Sequence, residues 1–353
     1  MRSSSRLVRS TTPLLGLTLA ALSSTALAQS ADEKMAPLAD GFPNRPIVLM
    51  VIDEPGSTDS VFANQIAESA NVISPQRVLV EHRVDFSNFG TWEAIAWIKD
   101  QGEIANEGYI NYVYTLPDAM VDLGAVDIKE MTGVFIEDMN AVIATEQVPF
   151  LMIQRADAPW GDTLEEFVAH AKANPGTVRH ITGGPGGGQD AAMRVWSRHL
   201  GIELNDIIGG SPGERALAVA SGEGDVTVSP VDTVIPHHDA GRVTVLMASG
   251  ENVLPEPWEG VPNADSLGLV DDPFNQTRTI GVAPDVTDEH REWLNELFGR
   301  ASEREDYMAK RQNIKALSLV RLDHQAATDF AQSGYDTVVP LFRDLGIYWE
   351  DLQ

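Results

Sequence analysis

Ile47-Val48-Leu49-Met50-Val51-Ile52 is a short continuous apolar run, and Asp53-Glu54-Pro55-Gly56 stops it. Residues 61–70 then carry apolar side chains at helical spacing, so the segment reads strand, loop, helix. The order recurs downstream. Residues 77–81 read as a strand, 92–99 as a helix, and 109–115 as a strand that runs into Leu116-Pro117. Such alternation predicts a parallel sheet flanked by helices.

A second unit opens with apolar runs at 142–144 and 150–154. Thr163 stands where it can cap a helix over 164–173, and Asn174-Pro175-Gly176 ends that helix. A strand at 178–182, a glycine-rich loop and a helix over 190–200 follow, then strands at 226–228 and 243–247. The tail is amphipathic over 289–311 and 325–345 and is expected to pack back on the first unit. The expected division is 43–145 with 270–353 as one lobe and 146–269 as the other, after a flexible, unpatterned leader at 29–42.

Upstream, Arg2, Arg6 and Arg9 precede an apolar run at 13–22 and the small residues of Ala26-Leu27-Ala28. This is the pattern of an export signal over 1–28, and a soluble periplasmic protein is expected after its cleavage. No later stretch supplies the roughly 18 consecutive apolar residues of a membrane span. The chain contains no cysteine, which excludes both a disulfide and a lipid-modified N-terminal cysteine. Its 353 residues exceed what one compact core usually holds, and 43% hydrophobic content suffices to pack two. The net charge of −27 opposes binding to nucleic acid or anionic lipid.

Two loops each follow an expected strand and open a helix: Pro55-Gly56-Ser57-Thr58-Asp59 and Gly183-Gly184-Pro185-Gly186-Gly187-Gly188-Gln189-Asp190. A helix N-terminus offers unpaired N–H groups and the positive dipole end, and glycines let a solute approach the backbone, so both loops suit a carboxylate. The stretch from Gly186 to Ala191 matches a dinucleotide fingerprint in form, yet no acidic ribose-binding residue follows at the required distance. His237-His238-Asp239 is a local cluster of possible metal ligands, but adjacent helical residues diverge by about 100°. No nucleophile elbow or cysteine nucleophile is present, so the sequence points to neither catalysis nor a cofactor. Trp92, Trp97, Tyr109, Tyr112 and Tyr114 read chiefly as core and secondarily as walls of a cleft.

Several segments, in order, resemble the tripartite tricarboxylate transporter receptors, the Bug-type periplasmic binding proteins. Arg45-Pro46-Ile47-Val48-Leu49 with Gly56-Ser57-Thr58-Asp59 is similar to the family's opening strand and G-G-x-T-D loop. Asp157-Ala158-Pro159-Trp160, Thr163-Leu164-Glu165-Glu166-Phe167 and Ala171-Lys172-Ala173-Asn174-Pro175-Gly176 resemble its central run. Gly213-Glu214, Gly222-Glu223-Gly224-Asp225, Pro236-His237, Ala240-Gly241-Arg242 and Gly281-Val282-Ala283-Pro284 fall where the family has its later motifs.

The resemblance implies an α/β, two-lobed type II periplasmic-binding-protein fold with a ligand cleft between the lobes, closing on its solute. It implies a monomeric, non-enzymatic receptor that hands a small organic acid to membrane permease subunits. A neutral or amine-bearing solute, or a signalling role, stays open. Carried over by position, the ligand contacts are Gly56, Ser57, Thr58 and Asp59 from one lobe, and Thr182, Gly183, Gly184, Gly186, Gly187, Gly188, Gln189, Asp190 and Ser229 from the other. The chain departs from the family at Pro55, which replaces the first loop glycine, at 84–89, and at Asp190, where a neutral polar residue or histidine is usual.

Overall fold

The computed structural model describes residues 33–352 except 87–88, 185–186 and 270–271. The expected export signal lies outside the described residues. In the first half, β1 (Ile47–Val51), α1 (Thr58–Ile73), β2 (Val78–His82), α2 (Gly90–Lys99), α3 (Glu103–Asn106), β3 (Ile110–Leu116), α4 (Asp118–Ala125) and α5 (Ile128–Thr132) follow one another. The 16-residue β4 (Asn140–Arg155) then crosses into the second half. There come α6 (Leu164–Ala173), β5 (Arg179–Thr182), α7 (Gly188–Leu200), β6 (Asn205–Ile208), α8 (Pro212–Ala220), β7 (Val226–Pro230), α9 (Val231–Asp239) and β8 (Val243–Ala248). The chain returns through β9 (Asn275–Val282), α10 (Asp288–Ser302), α11 (Glu305–Arg311), β10 (Ser318–Leu322) and α12 (His324–Leu345).

The strand order is β2-β1-β3-β9-β4-β7-β5-β6, with β8 and β10 also pairing with β4. β1 is parallel to β2 and β3, as the alternation predicts, whereas β9 runs antiparallel to both β3 and β4. The sheet is therefore mixed. β4 passes from one half to the other and changes partners along its length. Its residues up to Pro149 pair with β9, and Phe150 onward pairs with β7 and β8. Proline lacks the N–H that a continuous ladder needs, and Pro149 sits where the ladder changes hands. The sequence reads this strand as two pieces because the intervening Thr145-Glu146-Gln147 is polar.

The capping box at Thr163 forms as expected. Its Oγ1 accepts from the Glu166 N–H at 3.3 Å, and Glu166 Oε2 accepts from the Thr163 N–H at 3.1 Å. The expected flexible leader is corrected from residue 33 onward. Met35 is buried and its N–H donates to the Ile73 carbonyl at 2.7 Å, while Phe42 stacks on His290 with ring centroids 4.1 Å apart. Apolar anchors too few to register as a pattern fix this segment. Trp92, Tyr109, Tyr112 and Tyr114 are core residues. Trp97 is partly exposed and lies beneath the Arg83 guanidinium, 4.2 Å from the ring centre.

Candidate ligand site

The loop between β1 and α1 is tied by short-range bonds. Gly56 has φ +94°, a conformation that disfavours any side chain, and its N–H donates to Ser60 Oγ at 3.2 Å. Ser57 caps α1 by accepting from the Ser60 N–H at 3.1 Å, and Thr58 opens the helix, half-buried. Asp59 turns inward, where its Oδ1 accepts from Arg278 Nε at 2.7 Å. Asp53 reaches solvent at the end of β1 but is ringed by protein. Lost hydration, followed by repulsion from Asp59 and Asp118, pushes its pKa up to about 7.

Across the seam, Thr182 Oγ1 donates to Asp190 Oδ1 at 2.6 Å and accepts from the Gly184 N–H at 3.2 Å. Gly186 lies outside the described residues. Gly187, with φ +93°, stands at the head of α7 and has open space beside its Cα. Asp190 is the third helical residue rather than the first, and Arg194 Nε donates to its Oδ2 at 2.7 Å. The expectation that its carboxylate begins the helix is thus corrected. It ties the end of β5 to α7. Ser229 is fully buried, with its hydroxyl donating to the Pro212 carbonyl at 3.3 Å.

Residues outside the expected contacts also bear on the head of α7, Asp118 foremost. The Gly188 N–H at the head of α7 donates to Asp118 Oδ1, a bond between the halves of the molecule. Thr115 Oγ1 holds the other oxygen at 2.8 Å. A Cβ at Gly188 would lie 2.5 Å from that carboxylate, so only glycine permits the approach. Asp122 stands one helical turn after Asp118 on the same face of α4, 4% exposed, and makes no side-chain hydrogen bond or ion pair among the described residues. Burial, then repulsion from Asp118, drives its pKa well above the usual carboxylate range.

Arg215 comes from α8 and is 5% exposed. Its Nη1 donates to the Gly210 carbonyl at 2.6 Å and its Nη2 to Gln189 Oε1 at 3.3 Å. No described carboxylate lies within ion-pair distance of it. The guanidinium packs against Gly183, where a Cβ would stand 2.7 Å from Nη1. Burial lowers its pKa, and the more distant charges of Asp118, Asp190 and Glu214 act in the opposite sense. A buried cation without a carboxylate, beside a glycine-lined loop, is suited to receive an anion.

Arg278 has the opposite surroundings. β4–β9 register sets it directly opposite Glu146, whose Oε1 accepts at 2.7 Å, and Asp232 at the start of α9 accepts at 2.8 Å. With Asp59, three carboxylates hold one guanidinium. Burial alone would lower its pKa, yet Asp232, Glu146 and Asp59 keep it well above the ordinary value. Arg311 also donates to Glu146, at 2.8 Å through Nε.

Residues 121–347 match the model of the tripartite tricarboxylate transporter family receptors. The chain belongs to this family. As a receptor of this kind it is similar to the UPF0065 protein in the gbd 5' region of Cupriavidus necator, 25% identical over 276 residues, 76% of this chain and 78% of that one. Its fold is shared with R. palustris Rpa4515, solved with adipate, at TM-score 0.75 and 16% identity over 87% of this chain and 99% of that one. It is shared equally with MatC from Rhodopseudomonas palustris, solved with bound malate, at TM-score 0.71 and 16% identity over 85% and 99%. The fold class is therefore the two-lobed α/β architecture of these binding proteins.

In this receptor the second glycine loop is tied to partners that lie far apart in sequence. Gln189 joins Arg215, and Gly188 joins Asp118. A separate cavity of about 380 Å³ lies behind α7, lined by His180, Arg194, Ser197 and Asp206 among others, and contains none of the expected ligand contacts.

Proposed function

We propose that the protein is a periplasmic receptor that captures a small carboxylate-bearing solute between its lobes and delivers it to the membrane subunits of a tripartite tricarboxylate-type transporter. Arg215 carries this reading: a buried guanidinium, bonded among the described residues only to neutral oxygens, borders the glycine loop at the head of α7. One solute carboxylate beside it would supply the missing counter-charge and could accept two parallel N–H bonds. Gly187 and Gln189 are neighbouring contacts in this reading. Gly56, Ser57 and Thr58 face the solute from the other lobe. The lobe boundaries belong to it too, one inside β4 near 145 and one ahead of β9 near 270.

The adipate and malate present in the related structures support a carboxylate. A thermal-shift screen of organic acids, amino acids, amines and neutral solutes tests it, because a solute at 100 times its Kd stabilises the folded state by about 2.7 kcal/mol. Carboxylate-bearing solutes should raise the melting temperature. Stabilisation confined to solutes without a carboxylate would overturn the reading.

A further inference from the structure

The α7 N-terminus, a natural seat for a ligand anion, is already filled by the protein's own Asp118. Each Asp118 oxygen accepts one described bond, from Gly188 or from Thr115, and a carboxylate has about four acceptor positions. Asp118 therefore keeps capacity for further donors. One turn along the same helix face, Asp122 is 4% exposed and makes no side-chain hydrogen bond or ion pair among the described residues. Asp53 and Asp59 act electrostatically on this group from the neighbouring loop. Asp59 is already committed to Arg278. Arg215 is the buried cation on the other side of the seam.

We propose that Asp118 is the specificity-determining residue of this receptor: it occupies the anion position on α7, so the solute brings a single carboxylate to Arg215 and a cationic amine to Asp118 and Asp122. The proposal rests on the carboxylate-receptor reading and narrows it to zwitterions of the amino-acid type. A second solute carboxylate at the seam would meet like charge in a poorly hydrated space, which discriminates against dicarboxylates. An ammonium there supplies up to three donors to the open acceptor positions. A nearby cation also favours the ionised form of Asp122, so the partnerless side chain becomes a partner on binding.

Calorimetry with chain-length-matched amino acids, monocarboxylates and dicarboxylates tests the proposal on wild type, Asp118→Asn and Asp122→Asn. Asparagine keeps the shape of Asp118 and an oxygen for the Gly188 N–H. Asp122→Asn leaves that bond untouched and so removes the ionisable group without disturbing the seam. Melting curves identify folded variants. In wild type an amino acid should bind at least tenfold more tightly than the matched dicarboxylate. Asp118→Asn should weaken the amino acid tenfold or more and strengthen the dicarboxylate, and Asp122→Asn should shift both in the same directions by less. If wild type takes dicarboxylates as tightly as amino acids and neither variant changes the ratio, the zwitterion proposal falls while the carboxylate reading stands. If no carboxylate-bearing solute binds, with or without an amine, both fall.

Discussion

Arg278 and Arg215 are both buried arginines, and they differ in what surrounds them. Arg278 sits on β9 with Asp59, Glu146 and Asp232 at 2.7–2.8 Å, so its charge is matched inside the fold. Arg215 sits on a helix of one lobe with a carbonyl and a side-chain amide as its acceptors. Burial of a charge alone does not mark a binding group. The supply of counter-charge does, because a desolvated ion without a partner is costly unless something arrives to pair with it.

The largest effect should come from the matched arginine. Arg278→Met would leave Asp59 and Asp232 without their guanidinium and Glu146 with Arg311 and the Tyr307 hydroxyl. Breaking a buried pair in this way typically costs about 3–5 kcal/mol, readable in urea unfolding. A loss below about 1 kcal/mol would mean that the three carboxylates are served by water and that the contrast between the arginines is overstated.

Arg215→Met should do the reverse. Stability should hold or rise, since a buried unpaired charge is removed, while affinity for a carboxylate solute should fall by about 1.5–3 kcal/mol, the scale of a charged hydrogen bond. That corresponds to roughly 10- to 150-fold in calorimetry. Unchanged affinity with a normal melting curve would remove Arg215 from the site.

The contrast also explains what could be read from the sequence. Thr163 and Glu166 form a cap within four residues, so local spacing reveals it. The strand-loop-helix rhythm and both glycine loops are equally local. β4 shows in the sequence as two apolar runs because Glu146 lies between them, and tertiary pairing with Arg278 and Arg311 makes that position compatible with burial. β6 is exposed along its whole length and so carries no alternation to detect. Arg215 and Asp118 acquire their meaning from Gln189, 26 residues away, and Gly188, 70 residues away. Charge at those positions is visible in a sequence, but its partners are not. The motif at Gly213-Glu214 was a signal beside Arg215, though it named the neighbour rather than the residue.

A pH series sharpens the comparison on the acidic side of the seam. Asp53 has its folded pKa raised to about 7 from an ordinary value of 3.8, so the fold holds this proton more tightly than the unfolded chain does. Its contribution is full below about pH 4 and is lost as the pH climbs to about 7. Asp53→Asn cannot lose it. Melting temperatures of the two proteins should nearly agree below about pH 4, and the variant should lie progressively higher toward about pH 8. A difference that stays constant across that range would show that neither burial nor the neighbouring Asp59 and Asp118 raises the Asp53 carboxyl.

The smallest effect is expected at Asp190, which lies close enough to act on Arg215 without pairing with it. Its oxygens are engaged by Thr182 and Arg194, and its charge partly offsets the guanidinium that awaits the solute. Asp190→Asn keeps an oxygen for the Thr182 hydroxyl but removes that offset, so a carboxylate should bind slightly more tightly. The gain should be about 0.2–1 kcal/mol, the scale of a partly screened charge interaction, or roughly one- to fivefold in Kd. Calorimetry on both proteins with the strongest carboxylate-bearing solute from the screen measures it. A tenfold or greater change would mean that Asp190 touches the solute directly. Weakened binding would mean that Asp190 shares the ammonium with Asp118, which would extend the acidic side of the seam into the second lobe.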